Sequence, residues 1–121
     1  MIMRLLWPLV VTIVIEWGML LYLGERRRKV LWGSVVVNIL TNLPLNLFAV
    51  YVSSGWTTVV VGELLVVLIE ALWYAWLVND WHQSLVYSVL CNAVSFLTGL
   101  LFQLIYLVII VSYVFVRCSS C

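Results

Sequence analysis

The sequence predicts an all-α membrane protein of four transmembrane helices, built as two helical hairpins that repeat each other in parallel. Three observations lead to this prediction: the composition, the spacing of the apolar runs, and a gap-free internal alignment. The chain of 121 residues is expected to form a single transmembrane domain, with repeat 1 over about 5–52 and repeat 2 over about 57–116. Parallel repeats imply a pseudo-two-fold axis along the membrane normal.

The composition is that of a chain in lipid. Hydrophobic residues make up 66% of the sequence and charged residues 9%, with a mean hydropathy of +1.20. A soluble domain carries about 25% charged residues to cover its surface, so a water-soluble fold is excluded. The net charge of +1 provides no basic face, and we therefore expect no nucleic-acid partner.

Charged and turn-forming residues at 24–29, 53–56 and 79–83 divide the chain into four apolar runs. The predicted spans lie near 5–23, 30–52, 57–78 and 84–116. About 20 apolar residues cross a bilayer core as a helix. The continuous Leu, Val and Ile runs lack the in-out alternation of barrel strands, and this favours helices.

Two irregularities are expected within these spans. The fourth run is too long for one helix perpendicular to the membrane, so we expect it to tilt, to bend near Gly99 or to protrude. Pro44 predicts a break in the second helix, because proline has no backbone N–H.

The orientation follows from the basic residues. Residues 26–29 hold four of the six Lys and Arg residues, and basic loops stay in the cytoplasm. We therefore expect loops 24–29 and 79–83 to be cytoplasmic and both termini to be extracytoplasmic. The first run has a single preceding Arg4 and no small-residue cleavage site, so we interpret it as a retained span. The expected partner of the protein is the lipid bilayer. Whether it also forms a homo-oligomer or part of a larger membrane complex is left open.

Residues 15–48 align with residues 69–102 at a constant offset of 54. Apolar identities are common by chance in this composition, but polar coincidences are not. The polar pairs are Glu16 with Glu70, Ser34 with Ser88, Asn38 with Asn92, and Thr41 with Ser95. We interpret this pattern as the duplication of a two-helix hairpin.

Four of the repeated residues, Glu16, Asn38, Glu70 and Asn92, form the candidate transport or ion-binding site. Each lies seven or eight residues from the cytoplasmic end of its span, which is a depth of about 10 Å. Ionisable groups inside a membrane are costly and usually mark proton or ion pathways. Carboxyl and amide oxygens also suit hard cations, but the sequence does not identify a metal.

Further polar residues recur at helical spacing and predict one polar stripe on each helix, directed toward the bundle axis. These supporting positions are Ser34, Thr41, Asn42, Asn46, Glu63, Ser88, Ser95 and Gln103. In the simplest alternative, the Asn, Ser and Thr side chains only join helices, by hydrogen bonds that contribute about 0.6 kcal/mol each. Glu63 lies near the outer boundary of its span.

The leading functional prediction is a small membrane transporter or channel subunit for protons or a small cation. The alternative is a non-catalytic assembly or scaffold subunit of a larger membrane complex, in which the polar layer fixes helix register. We expect no enzyme activity and no cofactor, because a nucleophile with a base and a histidine cluster are both missing. His82 is expected in a loop and Cys91 in packing, while a disulfide between Cys118 and Cys121 is left open.

Overall fold

A computed structural model of the chain describes residues 2–52 and 55–119, apart from the side chains of Ile2, Arg4 and Leu5. Within these ranges the chain forms four helices, and the predicted all-helical class is confirmed. The helices are α1 (Ile2–Tyr22), α2 (Arg28–Tyr51), α3 (Trp56–Val78) and α4 (Trp81–Ser119). By length and composition α2, α3 and α4 can each cross a membrane, and α1 contains a shorter apolar stretch, Leu6–Tyr22.

The linker between α1 and α2 is shorter than predicted. Gly24 adopts a φ of 87°, a left-handed conformation that glycine reaches without a steric penalty, and it ends the first helix. The next helix already begins at Arg28, so Arg28 and Lys29 belong to α2. Of the predicted loop 53–56, Ser53 and Ser54 lie outside the described residues.

The linker between α3 and α4 is also shorter than the predicted loop 79–83. Asn79 has a φ of 59°, and asparagine is one of the few residues that tolerate this region. Asp80 Oδ1 then accepts hydrogen bonds from the backbone N–H groups of His82 (3.0 Å) and Gln83 (3.3 Å). This side-chain cap satisfies the first turn, so α4 starts at Trp81.

The predicted break at Pro44 is wrong, because α2 continues through it to Tyr51. A proline removes one helical hydrogen bond, and the bonds on either side hold the helix together here. The long helix α4 runs without interruption past Gly99, and every residue from 101 to 119 is exposed. The helix thus extends beyond the bundle, and whether it tilts, bends or protrudes in a membrane stays a prediction.

The four helices form a bundle in which each helix packs against two others. Among the described residues, α1 and α3 each contact both α2 and α4, and neither diagonal pair is in contact. The short linkers make sequential neighbours antiparallel. One face of every helix is consequently directed toward a common axis.

The faces that α2 and α4 bury are equivalent in sequence. Each of the five buried residues of α4 lies 54 positions after a buried residue of α2. Glu70 and Tyr74 of α3 likewise lie 54 positions after Glu16 and Leu20 of α1, and all four are 0% exposed. The two hairpins thus use the same sequence positions for their inner faces.

Gly33 is a point of close approach between α2 and α3. A Cβ atom built on Gly33 lies 2.5 Å from Leu77 Cδ1 and 3.2 Å from Trp73 Nε1, whereas one on Gly18 has nothing within 4 Å. We expect Gly33→Leu to destabilise the fold by about 1–3 kcal/mol through overpacking. Gly18→Leu is the matched control, with the same gain in helix propensity. The measurement is the unfolding midpoint in mild detergent, and equal midpoints for the two variants would contradict the packing.

Candidate functional site

Two buried carboxyls are each bonded to an asparagine on the next helix. Glu16 Oε2 on α1 accepts a hydrogen bond from Asn38 Nδ2 on α2, and Glu70 Oε2 on α3 accepts one from Asn92 Nδ2 on α4. Each carboxamide nitrogen also donates to the carbonyl oxygen four residues earlier in its own helix, at 2.9 Å. The structure thus brings the four predicted residues together as two pairs with the same bonding, and we call them the Glu/Asn layer.

The two pairs meet at the bundle axis. Thr41 Oγ1 has one hydrogen and two acceptors within reach, the Val37 carbonyl oxygen of its own helix at 2.8 Å and Glu70 Oε1 at 3.3 Å. Thr41 lies one turn after Asn38 on the same face of α2. One face of α2 therefore reaches the carboxyls of both α1 and α3. From α4, Asn92 bonds Glu70, and the Sγ of its neighbour Cys91 lies 3.9 Å from the backbone carbonyl oxygen of Glu16.

The two carboxyls differ in how far their oxygens are satisfied. Glu70 Oε2 accepts from Asn92, and Glu70 Oε1 shares the hydroxyl hydrogen of Thr41 with the closer Val37 carbonyl oxygen. Glu16 Oε1 is buried and has no hydrogen-bond partner among the described residues. A buried polar atom without a partner costs about 1–3 kcal/mol, so a ligand that donates a hydrogen bond to this oxygen improves the bonding.

Of the supporting residues, Asn42 and the serines hold the surroundings of the layer. Asn42 Nδ2 donates to Asn38 Oδ1 at 2.8 Å, which extends the bonded chain along α2. Ser88 Oγ donates to the Val67 carbonyl oxygen of α3 at 2.6 Å, whereas Ser34 Oγ bonds a carbonyl of its own helix. These bonds join helices or cap backbone groups, and they do not reach the carboxyls.

A cavity of about 450 Å³ lies on the bundle axis, on the side of the layer away from the linker that contains Gly24. All four helices line it, and we call it the axial cavity. Its lining residues are Pro8, Thr12, Asn42, Asn46, Trp56, Val59, Glu63, Asn92, Ser95, Phe96, Gly99, Leu100 and Gln103. Asn92 belongs to both the cavity and the layer, so the carboxyls lie directly beneath the cavity floor.

The remaining supporting residues surround this cavity. Asn46, Glu63, Ser95 and Gln103 line its wall, and Ser95 Oγ donates to Thr12 Oγ1 across α4 and α1 at 3.1 Å. Glu63 is half-buried and faces the cavity, although the sequence suggested only a position near a span boundary. The structure places all twelve predicted positions in or beside the layer and cavity, and their assignment to transport stays a prediction.

The other side of the layer is closed by packed side chains. Leu20, Val30, Tyr74, Tyr87 and Cys91 form a buried cluster, which we call the core cluster. The rings of Tyr74 and Tyr87 meet edge to face, with centroids 6.1 Å apart. The axial cavity therefore approaches the layer from one end, and the core cluster separates the layer from the other.

An ion pair between the buried Glu25 and the exposed Arg27 covers the core cluster at the linker end. Glu25, 3% exposed, accepts hydrogen bonds from the Arg27 guanidinium at 2.6–3.2 Å and from Tyr87 OH of α4 at 3.1 Å. The hydrogen bonds from Arg27 lower the pKa of Glu25 from 4.5 to about 2. The stabilisation by this carboxylate is present above pH 4.5 and is lost as the pH falls toward 2. At neutral pH the link between Glu25 and Tyr87 is intact.

Sequence reasoning missed this link and the two tyrosines. Glu25 is the single acid in a basic run, and Tyr74 lies one turn after Glu70 on the same face, but neither signal identifies the contact with Tyr87.

His82 is exposed, as expected of a linker residue, although it lies in the first turn of α4. Cys91 is buried in the core cluster, and Cys121 lies outside the described residues.

The described residues contain no group of three or more His, Cys, Asp or Glu that could hold a metal ion. Comparisons of the chain with protein-family models, with curated proteins and with solved structures gave no match.

The link between Glu25 and Tyr87 predicts the accessibility of the core cluster. Tyr87→Phe keeps the ring and removes a hydrogen bond to a charged group, which contributes about 1.5 kcal/mol. In a Cys118→Ser, Cys121→Ser background, we expect maleimide labelling of the buried Cys91 to become roughly tenfold faster. Tyr113→Phe, at an exposed site far along α4, is the control. An unchanged labelling rate in Tyr87→Phe would show that this bond does not hold the cluster closed.

Proposed function

We propose that the protein is a small integral membrane transporter or channel, on its own or as a subunit, for protons or a small cation. The binding site is the Glu/Asn layer of Glu16, Asn38, Glu70 and Asn92. The observation that carries this proposal is the position of two fully buried carboxyls beneath the floor of a polar axial cavity. Ionisable groups at such a position in a membrane usually serve proton or ion movement.

The outer surface of the bundle supports a location in lipid. On α3, for example, Leu64, Leu68 and Leu72 form a stripe that is 57–61% exposed. Large exposed apolar surfaces are unfavourable in water and suit contact with acyl chains. We infer that all four helices cross the bilayer, including α1, whose 21 residues are about the length that a span needs.

We also infer that the two hairpins arose by duplication and are related by a pseudo-two-fold axis along the membrane normal. Three features at the offset of 54 support this inference: the matched polar residues, the matched buried faces of α2 and α4, and the repeated bonding of glutamate to asparagine. The hydrogen bond from Thr41 to Glu70 departs from the symmetry, since Ser95, the counterpart of Thr41, bonds Thr12.

Because the two hairpins differ at this contact, the two carboxyls have different roles in the proposed mechanism. The surroundings of the two carboxyls differ: Glu70 accepts from Asn92 and has Thr41 Oγ1 at 3.3 Å, whereas Glu16 accepts from Asn38 and its Oε1 has no partner among the described residues. We propose that Glu16 Oε1 carries the exchangeable proton and that Glu70 completes the site. A proton or cation enters through the axial cavity, and release at the other end requires the core cluster to open.

Proton flux into liposomes tests the proposal. Glu16→Gln and Glu70→Gln keep the side-chain shape and remove the titrating group, so we expect each variant to reduce flux to the level of protein-free liposomes. Asp80→Asn removes an exposed carboxylate at the linker end and should leave flux unchanged. Wild-type flux in both Gln variants, with folding verified by circular dichroism, would overturn the role of the layer.

The alternative is a scaffold subunit of a larger membrane complex. The observation that favours it is that both carboxyls are buried and bonded to asparagines of the neighbouring helices, which is how polar residues fix helix register. In that case the Gln variants keep full function, while Asn38→Leu and Asn92→Leu weaken assembly. The same set of variants therefore separates the two functions.

The orientation is a separate prediction, based on the basic residues at 26–29. We propose that the linkers containing Gly24 and Asn79 face the cytoplasm and that the axial cavity opens on the opposite side. A single cysteine introduced at Arg26 should react with a membrane-impermeant maleimide only after the cells are permeabilised. A cysteine at Gly55 should react in intact cells, and the reverse pattern would invert the topology.

A further inference from the structure

We propose that the axial cavity binds a small organic ammonium cation, and that the carboxylate of Glu63 receives its charge. The inference deepens the proposed function and rests on it in one respect: the cavity is taken as the entrance to the Glu/Asn layer. It assigns the chemical class of the cargo, which neither the layer nor the sequence defines.

The axial cavity has one acidic side chain in its wall, that of Glu63. Glu63 lines the cavity and is half-buried. The ion pair between Arg27 and Glu25 lies at the far end of the bundle. No Lys, Arg or His is among the residues that line the cavity. Among these lining residues Glu63 therefore has no counter-ion, and a bound cation supplies one.

The volume of the axial cavity fits a small molecule. The cavity of about 450 Å³ has room for roughly 15 waters at about 30 Å³ each. A dehydrated metal ion needs several oxygen ligands at about 2.0–2.6 Å, which requires a tight cage. Glu63 lies two helical turns, about 10 Å, from Glu70, and the described residues contain no group of three or more His, Cys, Asp or Glu that could hold a metal ion. The space suits a molecule better than a bare ion.

The wall of the axial cavity combines aromatic, apolar and amide side chains. Trp56 and Phe96 contribute aromatic rings, and Pro8, Val59 and Leu100 contribute apolar surface beside the carboxylate. Aromatic faces attract ammonium groups, and apolar surface accommodates their alkyl substituents. Asn46 and Gln103 add amide oxygens that accept N–H or O–H donors. Apolar and aromatic surface beside convergent polar groups is typical of small-molecule sites.

Equilibrium binding to the full chain in lipid nanodiscs tests the proposal without any ion gradient. The probe is choline, and its neutral isostere 3,3-dimethylbutan-1-ol has the same shape without the charge. We expect choline to bind at least tenfold more tightly than the alcohol, and Glu63→Gln to abolish that difference. Glu63→Asp should retain it, and Asp80→Asn, which removes a carboxylate outside the cavity, should bind as the wild type does.

The proposal is overturned if choline and the alcohol bind equally, or if Glu63→Gln binds choline as tightly as the wild type while its unfolding midpoint is unchanged. It is also overturned if Na⁺ or Mg²⁺ displaces choline in stoichiometric amounts, since the site is then an inorganic-cation site. Because binding is measured without flux, choline binding by a chain that moves neither protons nor choline supports this proposal and contradicts the transport function. Proton flux without choline binding supports the transport function and contradicts the ammonium site.

Discussion

The hydrogen bond from an asparagine to a buried carboxyl is the contact on which the rest of the bundle depends. A carboxyl is buried at acceptable cost only when donors replace water. In each hairpin the asparagine nitrogen is shared between the carboxyl and a carbonyl of its own helix, so its position is fixed from both sides. The bond therefore sets the rotation and the axial register of α2 against α1, and of α4 against α3.

Once these registers are set, the contacts between hairpins follow. Thr41, one turn after Asn38, faces Glu70, and Cys91, next to Asn92, faces the backbone of Glu16. Side chains on one side of the layer form the core cluster, and those on the other side line the axial cavity. The closed and open ends of the axis are thus consequences of the same register that pairs the carboxyls.

Much of this arrangement was predictable from the sequence, because lipid-like composition and helical spacing are local properties. The apolar runs predict the four helices, and the number of residues between each polar residue and the nearest charged loop predicts the Glu/Asn layer. Helix ends were less predictable, since Asp80 caps α4 and Gly24 ends α1 through conformations that composition does not reveal. The bond between Glu25 and Tyr87 joins residues 62 positions apart, and only the packed bundle brings them together.

The C-terminal part of α4 follows a different constraint. Ser95 bonds Thr12, so the first residue of α1 lies level with about residue 105 of α4. The offset of 54 also places the end of α2, Tyr51, at position 105, and everything beyond has no counterpart in repeat 1. At 39 residues α4 is about 58 Å long, and a core of about 30 Å would contain it only at a tilt near 60°, beyond the usual 0–40°. In a bilayer α4 therefore bends or leaves the hydrocarbon core.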